Sequence, residues 1–336
     1  PMSVVYGADA LAGVINIITK KTSPSKIALY ARLQEETVGK EYGIQEGIHT
    51  QSVGATFRHK KWEAGGGFSY NYFGGWKDTA VGREIVWHWK DQLTANGFVG
   101  YNSGRFNIRY RIDGLDEIIT NPGNFTSYQA DAGDSVAFDQ EYLSQRIMHQ
   151  LQAGYSVNND LSFSAQAAYS DYSRQVYSTV VSQNTGKYSL NPVPETQSLV
   201  NFNSFTFRGT AQYKLSPVFS FQPGVDINLE SGNGERLKMG SNKVDDYAFF
   251  FTSEITPNSK INIRPGIRVI KNSVYDAPPV IPSINTKFAL SKNLDLRIAY
   301  ARGFRSPSLR ELYFNFFDAN HQIIGNPDMK AETSHS

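Results

Sequence analysis

A short stretch near the end of this 336-residue chain concentrates side chains that can do chemistry. Arg305 and Arg310 carry guanidinium groups, which can hold a carboxylate through two parallel hydrogen bonds. The neutral imidazole of His321 is a good ligand for iron, including haem iron. Tyr313 adds an aromatic surface to the same stretch. Together the four residues predict a site for an anionic or iron-containing ligand.

Each of these residues also has a structural interpretation. Arg305 and Arg310 can form intramolecular ion pairs, with Glu311 as a partner, that fix the stretch in place. A histidine in a loop is commonly a solvated polar residue, and Tyr313 can belong to an interfacial aromatic girdle. The residue types alone leave ligand binding and structural support open as alternatives.

No enzymatic pattern is visible in the chain. It contains no His-Glu-x-x-His spacing and no Gly-x-Ser-x-Gly turn, and its six histidines are scattered. Cysteine is absent, which excludes disulfides, thiol catalysis and cysteine-ligated zinc. A net charge of +2 does not predict nucleic-acid binding. We therefore predict a protein that is not an enzyme, with no intrinsic cofactor and no nucleic-acid partner.

A predicted strand at residues 294–301 directly precedes this stretch. Its even-numbered positions carry large apolar side chains, whereas the positions between them are polar or small. A period of two is typical of a strand with one apolar and one wet face. Residues 106–113, 219–230 and 261–269 show the same alternation, with charges of both signs on the polar face. A sheet with one apolar face and one wet, charged face is predicted.

Turn-forming residues divide the chain into hairpins joined alternately by tight turns and long connections. The long connections are expected near residues 73–88, 116–141, 178–198, 231–243 and 304–333. The tight turns are expected near residues 59–61, 102–104, 158–160, 215–217, 257–259 and 291–293.

The composition fits a sheet that spans a membrane. Hydrophobic residues make up 40% of the chain and charged residues 19%, and no apolar run is long enough for a transmembrane helix. A β-barrel is the other structure that pairs every backbone group inside a bilayer. Strands of ten or more residues, short turns on one side and long loops on the other predict an all-β, transmembrane antiparallel barrel rather than a soluble sandwich.

Two motifs resemble those of TonB-dependent outer-membrane receptors. Residues 303–313 read Gly-Phe-Arg-Ser-Pro-Ser-Leu-Arg-Glu-Leu-Tyr and residues 325–332 read Gly-Asn-Pro-Asp-Met-Lys-Ala-Glu, similar to the signature loop of that family. Residues 3–20 are similar to the last stretch of its plug domain. The signature differs from the family pattern by mild changes at Ser306, Met329 and Ala331. We call residues 303–332 the signature segment.

The resemblance implies a domain organisation. Residues 1–22 are expected to be the C-terminal end of a plug domain, and residues 23–336 a partial barrel of about thirteen strands. Because barrels of this class use about twenty-two strands, the chain is expected to be a piece of a longer precursor, unable to close a barrel alone. The plug segment that contacts TonB is expected to lie outside it.

The resemblance also implies a function in the bacterial outer membrane, with outer-membrane lipid around the barrel. The expected activity is TonB-dependent uptake of a chelated-iron compound, a ferric siderophore or haem. Haem receptors of the family carry a histidine in the interval that holds His321. Uptake of cobalamin or an oligosaccharide by the same fold stays open as an alternative, as does a passive porin or a surface adhesin.

Overall fold

The chain forms one large antiparallel sheet in this computed structural model. The long strands lie in the sheet in the order of the sequence. Of the short strands in the described ranges, one lies off this path, the last one pairs with the last long strand, and the other two form a separate two-stranded sheet. In the described ranges, no helix is long and apolar enough to cross a membrane. The structure describes residues 4, 7, 25–40, 42–77, 81–126, 133–193, 196–238, 241–317 and 322–336.

Thirteen strands of ten or more residues build the sheet within these ranges, which confirms the expected count and the all-β fold class. Four short strands, one helix and a 3₁₀ turn at Ile44–Glu46 lie between or after them. The long strands are β1 (Ile27–Glu36), β2 (Ile48–His59), β3 (Trp62–Phe73), β4 (Trp89–Asn102), β5 (Phe106–Asn121), β6 (Val136–Ser156), β7 (Leu161–Ser182), β9 (Leu199–Lys214), β10 (Phe219–Gly234), β11 (Ser241–Asn258), β12 (Ile261–Asn272), β13 (Val280–Ser291) and β14 (Leu294–Arg305). The short elements are β8 (Tyr188–Leu190), α1 (Leu309–Tyr313), β15 (Asn315–Phe317), β16 (Gln322–Ile324) and β17 (Glu332–His335).

The predicted alternation of faces is present in the sheet. On β14, the side chains of Leu294, Leu296 and Ile298 are exposed on the outer surface. The opposite face carries charge pairs between strands, such as Arg109 with Glu63 at 3.2 Å. An outer apolar surface and an inner charged wall are the arrangement expected of a membrane barrel with a wet interior.

The six tight turns occur where the sequence predicts them. Each joins two long strands through two to four residues, as between Asn102 and Phe106 or between Ser291 and Leu294. The seven-residue connection between β12 and β13 was not among the predicted long loops. The short turns all lie at one end of the sheet because consecutive strands are antiparallel.

Two of the predicted long connections, 116–141 and 178–198, are wrong in extent. β5 continues to Asn121, and β6 and β7 reach 21 and 22 residues. A tilted strand needs only about 9–11 residues to cross a bilayer, so these strands project well beyond it. Above the membrane both faces of a strand meet water, and the apolar alternation that marks a strand is lost.

A charge on the outer face of β14 should destabilise the barrel. Ile298 is exposed on the apolar face, whereas its neighbour Ala299 belongs to the polar face. We expect Ile298→Arg to cost about 2–4 kcal/mol in the full-length receptor in lipid, because the guanidinium enters hydrocarbon. Ala299→Arg is the matched control and should cost much less. Equal losses in urea unfolding of the two variants would contradict the assigned faces.

Candidate functional site

The signature segment begins with a short helix fixed by its own capping residues. Ser308 caps α1: its hydroxyl accepts a hydrogen bond from the Glu311 backbone N–H at 3.2 Å. In return, the Ser308 backbone N–H donates to the Glu311 carboxylate at 2.9 Å. This reciprocal capping box satisfies donors that a five-residue helix would otherwise leave open.

Arg305, the last residue of β14, holds two carboxylates of the signature segment. Its guanidinium donates to both oxygens of Glu311, at 3.0–3.1 Å, and to Glu332 at 3.0 Å. The hydrogen bonds from Arg305, followed by those from Ser308, lower the pKa of Glu311 from 4.5 to about 2. Arg305 therefore joins the barrel wall, the capped helix and the return strand β17.

The connection between β10 and β11 closes over the signature segment. The backbone N–H of Lys238 donates to the Tyr313 carbonyl at 2.7 Å, and its ammonium donates to the Gly325 carbonyl at 2.6 Å. The Gly325 backbone N–H donates to the Phe314 carbonyl at 2.6 Å. A Cβ at position 325 would lie 2.7 Å from the carbonyl carbon of Leu312. The two loops are thus tied by backbone contacts that require glycine at this position.

An apolar cluster lies beneath the helix. Leu309 and Leu312 are buried in it, together with Leu237 from the neighbouring loop. Tyr313 packs against the edge of this cluster and is half-buried. Arg310 points away from the cluster: it is exposed and its guanidinium stacks 4.8 Å from the centre of the Phe314 ring.

The N-terminal segment touches the inner wall next to the signature segment. Val4 is 1% exposed and packs in a cluster with Ile281 and Phe304. The guanidinium of Arg268 contacts the Val4 carbonyl at 3.5 Å. Gly7 has a φ of +86°, and a Cβ there would lie 3.1 Å from that guanidinium. Phe304 of the signature segment therefore shares a buried cluster with the segment predicted to end the plug.

Arg268 belongs to a charged group on the inner wall. It donates to Asp226 at 2.6 Å, and Arg208 holds the same carboxylate through two hydrogen bonds of 2.6 and 2.8 Å. Both guanidinium groups lie against the buried ring of Phe250. A cavity of about 730 Å³ is lined by this group and by residues 305–308 of the signature segment. Its size lies in the range of about 300–1,000 Å³ found for small-molecule sites.

The structure brings together some of the residues that the sequence predicts as a site. Arg305 lines the cavity and forms ion pairs with two carboxylates, which matches the structural alternative for this residue. Tyr313 packs against the apolar cluster beneath the helix. Arg310 remains exposed for ligand contact. His321 lies outside the described residues, and its role as an iron ligand stays a prediction.

Sequence reasoning missed the part of the cavity that lies on the inner wall. Arg208 and Asp226 stand on the adjacent strands β9 and β10, and Arg268 stands on β12, one strand further along the sheet. The alternation places Asp226 and Arg268 on the polar face, but it does not say which polar residues meet. The sequence signal that could have indicated this part of the cavity is the number of charged residues on the polar faces of these strands.

A family comparison agrees with this architecture. The sequence model described as "TonB dependent receptor-like, beta-barrel" matches residues 88–336. The chain belongs to the TonB-dependent receptor family. Members of this family are receptors and transporters, and the resemblance of the signature segment is confirmed. The match does not include the N-terminal segment, whose assignment to a plug stays a prediction.

Similar proteins span several cargo types. The TonB-dependent receptor described here is 22% identical to the vitamin B12 transporter BtuB of Vibrio vulnificus. The alignment covers 100% of this chain and 49% of BtuB. It superposes on the siderophore receptor PirA of Acinetobacter baumannii with a TM-score of 0.72, at 14% identity, covering 99% of this chain and 52% of PirA.

A second solved structure gives the same result. The ferric enterobactin receptor PfeA of Pseudomonas aeruginosa, in complex with enterobactin, superposes with a TM-score of 0.72 at 14% identity, over 100% of this chain and 54% of PfeA. At this identity the likeness shows the fold. The chain spans about half the length of these relatives.

The low pKa of Glu311 predicts a pH-dependent signature segment. The folded pKa, about 2, lies below the ordinary value of 4.5. Stabilisation by the ionised carboxylate is therefore complete above pH 4.5 and lost as the pH falls towards 2. Hydrogen-exchange protection of the Leu312 amide, relative to amides of β14, should fall over this range in the full-length receptor. Glu311→Gln should remove most of the pH dependence; the remainder comes from Glu332, whose pKa is lowered by a hydrogen bond from the same Arg305. An unchanged pH dependence in that variant would contradict the assignment to Glu311.

Gly325 should be intolerant of a side chain. We expect Gly325→Ala to displace the contact between the two loops, at a cost of about 1–3 kcal/mol from overpacking. Tryptic cleavage after Lys238 should become faster, because the ammonium and backbone of that residue are held by this contact. Gly114→Ala is the control, since the nearest atom to its Cβ, the Ala95 carbonyl oxygen, would lie 3.9 Å away. Equal cleavage rates in the two variants would contradict the proposed role.

Proposed function

We propose that the protein containing this chain imports a chelated-iron compound, a ferric siderophore or haem, across the bacterial outer membrane. Family membership and the fold shared with siderophore receptors support the proposal. The observation that carries it is the cavity between the signature segment and the inner wall, which Arg268 and Arg305 both line. In the outer membrane, the short turns of the sheet would face the periplasm and the long connections the exterior.

The cavity combines features that suit selective binding without covalent chemistry. Arg208 and Arg268 share one carboxylate, so this group has one net positive charge beside an anionic cargo. Arg305 holds the loop against the wall. Arg310 does not line the cavity, but it is exposed on the same loop and offers a bidentate donor to a carboxylate or catecholate. Binding in such a site is reversible, and release requires a change in the elements that line it.

The segment at Val4 and Gly7 supplies a route for that change. It packs on the cavity wall through Arg268 and Phe304. If this segment ends a plug, as predicted, then a pull by TonB on the plug would reach the cavity wall at these contacts. TonB and the proton gradient that energises it are part of the proposal by family analogy.

Cobalamin is a second candidate cargo. The sequence relative BtuB is a vitamin B12 transporter, and the whole of this chain aligns with 49% of BtuB. A passive porin or a surface adhesin belongs to a different class of function. Val4 packs against the inner wall of the sheet, which favours active transport over an open pore, because the N-terminal segment then occupies space through which a solute would pass.

A binding panel on the full-length receptor tests the proposal. Ferric siderophores, haem and cyanocobalamin are titrated against wild type, His321→Ala, Arg310→Ala and, as a matched control at a short turn, His59→Ala. We expect one iron chelate to bind with a dissociation constant in the micromolar range or tighter, with His59→Ala unchanged.

The variants separate the cargo classes. Haem binding lost in His321→Ala would identify a haem receptor with that histidine as ligand. Siderophore binding weakened in Arg310→Ala but not in His321→Ala would identify an anionic siderophore as cargo. Tight binding of cyanocobalamin with no iron chelate bound would overturn the iron proposal, and the absence of any binding would overturn transport of these cargoes.

A further inference from the structure

We propose that the inner wall holds a second binding site for the anionic iron chelate, at the end of the sheet where the short turns lie. The chelate would reach this site from the cavity beside the signature segment, along a row of polar side chains. The inference rests on the proposed function, because it concerns the route of the same cargo towards the periplasm. Two observations carry it: a second group of the same side-chain types, and the strand register that joins the two groups.

The second site is a cavity of about 380 Å³ at the short-turn end of the inner wall. We call it the mouth cavity. Its volume lies within the range of about 300–1,000 Å³ found for small-molecule sites. Four cations and one carboxylate line it, and all five residues are exposed or partly exposed. These residues are Arg58, Lys60, Lys61, Glu63 and Arg109.

Two arginines hold one carboxylate in the mouth cavity. Arg109 donates to Glu63 at 3.2 Å, and the guanidinium of Arg58 lies 3.8 Å from the same carboxylate. The Arg109 guanidinium also stacks on the ring of Phe98, 4.0 Å from its centre. The group around Asp226 has the same parts, namely two arginines, one carboxylate and a phenylalanine ring. Each group has one net positive charge, so an anion that suits one group suits the other.

Two glycines make room for the group at the mouth cavity. A Cβ at Gly100 would lie 2.9 Å from a carboxylate oxygen of Glu63, and a Cβ at Gly65 would lie 2.7 Å from the Phe98 ring. The carboxylate and the ring therefore lie against the backbone of the wall. The space above them stays open to a ligand whose carboxylate or catecholate oxygens can accept hydrogen bonds from the arginines.

One row of directly paired residues joins the two groups across the sheet. The strand register pairs each member with a member on the next strand, from β2 to β10. Directly opposite residues of an antiparallel pair share one face, so the whole row lies on the inner wall. No member has an apolar side chain. The row consists of Arg58, Glu63, Gly100, Arg109, Gln152, Gln166, Arg208 and Asp226.

The row runs obliquely towards the short turns. Arg208 lies six residues before the end of β9 at Lys214, whereas Gln152 lies four residues before the end of β6. Arg109 lies three residues after the start of β5, and Glu63 is the second residue of β3. Since Gln152 lines both cavities, the row connects them directly.

The composition of the row suits movement of an anion. Its middle holds two exposed, uncharged amides, those of Gln152 and Gln166, between a cationic group at each end. Passage through a pore requires sites that bind strongly enough to admit the solute and weakly enough to release it. Two groups with one net positive charge each, separated by neutral hydrogen-bonding side chains, meet this requirement. Ion pairs that only stiffened the wall would not need a polar row between them.

Uptake of iron-55 by cells that carry the full-length receptor tests the inference, with ferric enterobactin and haem as the probes. The triple variant Arg58→Gln/Glu63→Gln/Arg109→Gln removes the three charges together, so that no charge loses its partner. The double variant Arg58→Lys/Arg109→Lys keeps every charge. Lys292→Gln is the matched control, because it lowers the positive charge of the short-turn end by the same one unit at a turn that does not line the mouth cavity.

We expect the maximal rate of uptake to fall by about tenfold or more in the triple variant, since the anion loses its second site. The lysine variant and Lys292→Gln should stay within about twofold of wild type. Surface binding, measured with the proton gradient dissipated, should be unchanged in every variant. The reason is that the mouth cavity shares no charged residue with the cavity beside the signature segment.

Three results would overturn the inference. The first is a triple variant that takes up iron at the rate of wild type. The second is an equal loss in the triple and lysine variants, which would give the arginines a structural role. The third is a parallel loss of surface binding, which would show that the group supports the first site. Unchanged uptake in the triple variant would leave the proposed function intact, whereas a wild type that binds neither probe would overturn both proposals.

Discussion

The need to pair every backbone N–H and C=O group governs this structure. Inside hydrocarbon no water can satisfy these groups, and an antiparallel sheet pairs them between neighbouring strands. The ladder from β1 to β14 runs without a crossover. Because side chains alternate along each strand, the same ladder produces an apolar outer surface and a charged inner wall. The cavity lies on the inner wall that this alternation creates.

Charge on the inner wall is organised by pairing across strands. Asp226 is paired with two arginines, one from the adjacent strand β9 and one from β12, and Arg305 is paired with two glutamates of the signature segment. These two groups have opposite balances, one with excess positive and one with excess negative charge. They line the same cavity, so a cargo meets a wall whose potential changes sign over a short distance.

The sequence predicts the parts of the fold that have a repeating signal. The alternation along residues 294–301 identifies β14 and its faces, and turn-forming residues locate the short turns. The signal fails where β6 and β7 rise above the bilayer, since both faces are wet there and no period remains. In these upper parts, β6 and β7 stay paired because the hydrogen-bond ladder continues in register from the part of the sheet below. A local sequence pattern does not show this continuation.

The site is predicted only in part, for a similar reason. Arg305 and Glu311 lie six residues apart, and the sequence already suggests that they pair. Glu332 lies 27 residues from Arg305, and Val4 lies 264 residues from Arg268. Contacts at such separations depend on the register of the sheet and on the path of the signature segment. Neither is readable from spacing, so the inner-wall half of the cavity appears only in the folded structure.

Energy-dependent uptake is the central claim, and transport of radioactive iron chelate into cells tests it most directly. Cells that carry the full-length receptor are compared before and after the proton gradient is dissipated, with surface binding measured separately. The account predicts that accumulation stops when the gradient is lost while surface binding persists. Accumulation that continues at an unchanged rate would show passive diffusion and would contradict it.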